Sequence, residues 1–159
     1  MRCEPDYVDA YVHTARIFLQ LGETQQAFTY AEQGIELHPG DPELYMLQAK
    51  ASSAPENYYC RAMELSQGDS EAQVYRFNFA AYLHGQGRFE EAAHIARPLV
   101  AAPRDTLLFE NAASLIADTL SRQQNSEAGK NYLRELCRRG LTTPLIEENI
   151  SVITNVSPL

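Results

Sequence analysis

The chain has 159 residues, 45% hydrophobic and 21% charged, the composition of one globular domain able to bury its own core. Thirteen basic against 21 acidic side chains leave a formal charge of −8, which argues against a nucleic-acid backbone or an anionic membrane surface as the main partner. No apolar run reaches the ~18–20 residues of a membrane span, and Cys3, Cys60 and Cys137 form neither a CxxC motif nor an even disulfide framework, which predicts reduced thiols and a cytoplasmic location.

In chain order the elements are all helical. Alanine supplies 20 residues, and no alternating β-branched run is bounded by a hairpin turn. Helices are predicted at about 6–20, 24–37, 42–52, 54–66, 71–85, 89–102, 106–122, 126–138 and 144–153. The segment Asp9-Ala-Tyr-Val-His-Thr-Ala-Arg16 aligns with Glu43-Leu-Tyr-Met-Leu-Gln-Ala-Lys50 at a spacing of 34, with acid, Tyr, Ala and base all recurring. Val74 to Ala81 is a weaker third copy, and Gly22-Glu-Thr-Gln-Gln-Ala27 recurs as Gly87-Arg-Phe-Glu-Glu-Ala92.

The helix ends support this division. Asp41 before Pro42 reads as an N-cap acid followed by a first-turn proline. Ser53-Ala-Pro-Glu56 fits a capping box. Asp69 or Ser70, Asp105 and Ser126 are further candidate caps, and Gly22, Gly40, Gly68 and Gly140 fall at expected left-handed helix stops. Asp41 to Asp69 spans 28 residues, so the second repeat is expected to be a shortened hairpin turning near Ser53 to Pro55. Gly85-Gln-Gly87 joins two helices rather than leaving a strand, so it reads as a helix turn and not a phosphate loop.

The segment from Tyr11 to Pro39 resembles a tetratricopeptide repeat, with Tyr11, Ala15, Phe18, Gly22, Ala27 and Pro39 in the family's slots. The third repeat matches with Ala80, Leu83, Gly87, Phe89 and Ala92. The fourth has Ile116 in the small-residue slot and no clear turn glycine. The resemblance implies an all-α, tetratricopeptide-type helical-hairpin solenoid, a right-handed superhelix of about four repeats plus a C-terminal helix. The expected division is a repeat domain at 1–140 (repeats at about 8–40, 41–68, 69–104 and 105–140) and a capping helix and tail at 141–159.

It also implies that the first helix of each repeat lines a concave groove. The groove residues would be Val12, Arg16, Leu19, Met46, Lys50, Phe77, Asn78, Ala81 and His84. Arg16 and Lys50 share one register in an acidic chain. Two readings stand: they hold a partner's carboxylate beside apolar anchors, or they pair with Asp9, Glu43 or their neighbours while the apolar residues pack between helices.

No catalytic motif stands out. His13, His38, His84 and His94 lack metal-ligand spacing, and Glu90-Glu91 and Glu147-Glu148 diverge around their helices. The expectation is a non-enzyme without metal or cofactor, binding a protein or peptide and neither nucleic acid nor membrane. A bacterial assembly or secretion chaperone is one version of it. The alternative is a recruitment domain of a larger enzyme such as a transferase, suggested by an uncapped first repeat and the apolar Ile153, Val156 and Leu159. The stripe Ile146, Ile150, Ile153 would either cap the last repeat near Leu133 and Leu136 or dock on a second copy as a homodimer, hinged at Gly140 to Thr143.

Overall fold

The computed structural model describes residues 6–66 and 69–152. Cys3, Gly68, Ile153 and the side chain of Asp69 lie outside what is described. The described residues hold helices and no strand: α1 (Asp6–Gln20), α2 (Thr24–Leu37), α3 (Pro42–Ala51), α4 (Glu56–Leu65), α5 (Asp69–Gly85), α6 (Phe89–Ala101), α7 (Thr106–Gln123), α8 (Ser126–Arg138) and α9 (Pro144–Val152). They divide into two compact units, one up to Tyr75 and one from Arg76 onward, with α5 crossing the boundary.

In the N-terminal unit α1 packs on α2 and α3, α2 on α3, and α3 on α4. Gly22 closes α1 at φ +77°, a backbone angle that glycine tolerates because it has no Cβ. The turn donates Glu23 N to Phe18 O at 2.9 Å and Gly22 N to Leu19 O at 3.1 Å, satisfying carbonyls the helix end would orphan. Gly87 and Gly140 share that φ and that bonding. Gly40 does not: its φ is not positive, and the chain turns there through Asp41 N to His38 O at 3.2 Å.

The core of this unit joins Val12, Ala15, Ala31, Leu44 and Leu47. Alanine here lets helices approach closely; Ala15 and Ala27 are fully buried and Ala49 is nearly so. Gly34 goes further, because a Cβ there would lie 2.7 Å from Leu44 Cδ2 and 3.0 Å from Tyr11 Cβ.

The second hairpin is short: α3 and α4 have 10 residues each, against 15 and 14 in α1 and α2. Asp41 caps α3 as expected, its Oδ1 accepting from Glu43 N at 2.9 Å and Leu44 N at 3.3 Å. The capping box expected at Ser53 does not form. Helix α4 starts at Glu56, with Pro55 in the cap position and no side-chain cap bond. Glu56 is then the first helical residue rather than the third, too early to reach back to Ser53. Ser52 Oγ instead accepts from Ala54 N at 3.0 Å and shapes the turn.

In the C-terminal unit α7 packs between α6 and α8, and α9 lies on α7 and α8. One cluster joins Ala80, Ala96, Leu99, Phe109, Ala113, Ala117, Leu133, Leu136 and Ile146. Ala80 and Ala92 are fully buried, as their repeat positions require. The fourth repeat corrects the expected register. Ile116 is a core side chain, but the close approach occurs one residue on, at Ala117, three spacings of 34 from Ala15. A Cβ added at the facing Gly129 would fall against Ala117 O and Ser121 Oγ. The cap also moves by one: α8 begins at Ser126, so Asn125 caps it and accepts from Ala128 N at 3.0 Å.

Candidate partner-binding surface

Helices α1 and α3 place Arg16 and Lys50 directly after the buried Ala15 and Ala49. Because the alanines face inward, the next residue on each helix turns about 100° outward. Both cations are exposed. The Arg16 guanidinium pairs with the Glu43 carboxylate, joining α1 to α3. Lys50 makes no ion pair with any described residue.

The apolar slots of this unit behave differently. Val12 is 5% exposed and Met46 4%. Val12 belongs to the core, with Leu19 packed against it half-buried. These residues hold the helices together, and only the two cations among the five expected positions stand out in solvent. Tyr75 is buried close by, its phenol pushed up to about 12 by burial first and then by Glu71, Glu43 and Asp41, with Arg16 opposing.

In the C-terminal unit Phe77 is half-buried on the core, Asn78 is half-buried and Ala81 is exposed. His84 sits in a network that hydropathy and motif spacing do not reveal. Its Nε2 lies 2.8 Å from Asp118 Oδ2, which also accepts from Arg122 Nε at 2.6 Å. Phe89 completes the group, edge-on to His84 at 5.0 Å and under the Arg122 guanidinium at 5.3 Å. Asp118 lies 34 residues after His84, on the first helix of the next repeat, a pairing between helices that no local pattern signals. One carboxylate bridging a histidine and an arginine fixes three side chains on α5 and α7 and offers hydrogen-bonding groups to a polar ligand.

No group of three or more His, Cys, Asp or Glu that could hold a metal gathers among the described residues. Among them, too, no helix is long and apolar enough to cross a membrane.

A family model described as tetratricopeptide repeat matches residues 8–51. A solved structure from the functional characterization of Pseudomonas aeruginosa pilF superimposes with a TM-score of 0.69 at 19% identity, covering 93% of this chain and 68% of that one. At that identity the likeness is one of fold. No curated protein sequence matches the chain significantly. The paired helices and this likeness define a helical-repeat fold. The sequence-level match to the tetratricopeptide repeat family is confined to the first repeat and the first helix of the second, and beyond it the likeness is one of fold.

Proposed function

We propose that the protein is a non-catalytic interaction module that holds a peptide or helix of a protein partner on the first-helix faces of its repeats. Lys50 is the observation that carries this reading: an exposed cation without an ion-pair partner among the described residues, in register with Arg16 one repeat earlier. Arg16 has a partner, but its ion pair with Glu43 is exposed, with side-chain exposures of 48% and 36%. Such pairs contribute ~0–1 kcal/mol, so an incoming carboxylate can displace Glu43 at little cost.

The partner chemistry this favours is an acidic side chain or chain terminus held by Arg16 and Lys50. In the C-terminal unit, taken by itself, Phe77, Asn78, Ala81 and His84 hold the corresponding positions on the first helix of the third repeat. An assembly or secretion chaperone is the version of this role that a small acidic repeat protein supports. The unpaired thiols Cys60 and Cys137 support a reducing compartment. The intrachain packing of α9 favours a cap over a homodimer.

The test is affinity capture from lysate with quantitative mass spectrometry, comparing wild type with the Arg16→Glu, Lys50→Glu double variant. The double variant should lose the captured partner while keeping its helical circular dichroism. Glu43→Gln, which frees Arg16, should capture more of it. Undiminished capture by the double variant at physiological salt would remove the carboxylate-holding role.

A further inference from the structure

A second surface belongs to the C-terminal unit. A cleft of about 790 Å³ opens among α5, α6, α7 and α8. Ile95, Leu120 and Tyr132 give it an apolar lining, and each is only half-buried. Glu90, His94 and Arg97 lie along its edge on α6. Their spacing of i, i+4 and i+7 puts all three on one helical face, and all three are exposed.

The charges on this edge differ from their neighbours. Nearby carboxylates are engaged: Glu91 by Arg88 at 2.6 Å, Glu127 by Arg134, and Glu135 by Arg139 at 3.1 Å. Glu90 and Arg97 make no ion pair or hydrogen bond with any described residue. Tyr132 has no hydrogen-bond partner among them either. Burial pushes its phenol up to about 12, with Arg97 and Arg139 opposing, so the Arg97 charge acts on that hydroxyl. The cleft therefore has a basic end with a phenolic donor and an acidic end.

Glu90 and Arg97 are seven residues apart on α6, about 10.5 Å along the axis. A second helix lying alongside presents its own i and i+7 residues at the same separation, which an extended chain matches only at about every third residue. We propose that this cleft docks an amphipathic helix of a protein partner. Its apolar side rests on Ile95, Leu120 and Tyr132. A carboxylate accepts hydrogen bonds from Arg97 and the Tyr132 hydroxyl, and a basic side chain meets Glu90. Helix-in-groove recognition uses this combination of apolar anchors and flanking charges.

The test uses the full chain, labelled with nitrogen-15, and three short helix-stapled peptides sharing one leucine face. The first carries Glu and Lys seven residues apart, the second Lys at both places and the third Glu at both. The first peptide should bind best and shift the amides of Ile95, Leu120 and Tyr132. Arg97→Glu should weaken it by about fivefold and turn the preference toward the double-Lys peptide. Tyr132→Phe, which keeps the ring, should weaken the first peptide more than the double-Lys one. The Arg16→Glu, Lys50→Glu variant should bind as wild type does, so failure of the Arg16 and Lys50 reading and failure of this one are told apart. Equal affinity for the three peptides, or shifts confined to α1 and α3, would overturn the proposal. A doubled mass in light scattering that Arg97→Glu abolishes would overturn it too, by assigning the cleft to a second copy of this chain.

Discussion

At the scale of single residues, two glycines on helices predict opposite effects of one methyl group. Gly129 sits where α8 meets α7, and an added Cβ would press on the backbone oxygen of Ala117. A backbone atom cannot swing aside, so Gly129→Ala should overpack the contact and cost about 1–3 kcal/mol, measured by urea unfolding. Gly85 ends α5 with no positive φ, and a Cβ there would meet nothing within 4 Å. Gly85→Ala should therefore leave stability unchanged or raise it by up to about 1 kcal/mol through the unfolded chain's lost freedom. An unaffected Gly129→Ala would show that the fourth repeat is not packed at Ala117, and a destabilised Gly85→Ala would show that the space beside the end of α5 is not open.

At the scale of the helices, local chemistry was legible and tertiary pairing was not. The helix positions follow from periodicity, glycine stops and caps such as Asp41 and Asp105, all set by residues a few positions apart. The misread capping box at Ser53 and the misplaced cap at Ser126 each turn on where a helix starts, which packing decides to within one or two residues. The candidate surface was harder to read. Arg16 and Lys50 were visible as a recurrent register, but the bond from Arg16 to Glu43 crosses 27 residues of sequence, and hydropathy alone does not separate a groove-lining Val12 from a core one. Helix α9 shows the same mixture. Its stripe was visible, but only the packing assigns Ile146, fully buried, to the cluster of Leu133 and Leu136, with Asn149 Nδ2 donating to Ser114 Oγ at 2.9 Å. Ile146→Ala should cost about 2–5 kcal/mol and leave the mass in light scattering unchanged. A change of mass without loss of stability would mean that α9 docks on another molecule.

At the scale of the whole molecule, each compact unit contains a tyrosine whose phenol is pushed up to about 12, Tyr75 in the first and Tyr132 in the second. Burial is the main cause at both, because a phenolate would lose its hydration. The unfolded chain releases these protons near the ordinary tyrosine value of about 10. Between about pH 10 and 12 the unfolded state is thus deprotonated while the folded state still holds the proton, which favours unfolding. The stabilising contribution is complete below pH 10 and is lost as the pH climbs toward 12. A raise of this size would contribute roughly 1–2 kcal/mol per tyrosine after allowance for the partial exposure of the rings. The urea midpoint should accordingly hold steady up to about pH 9 and fall steeply by pH 11. The Tyr75→Phe, Tyr132→Phe double variant has no phenol to ionise at either place, so its midpoint should fall less over that interval, with each single variant in between. If wild type and double variant lose stability in parallel, the alkaline sensitivity belongs to other groups and the two phenols are better hydrated than their burial indicates.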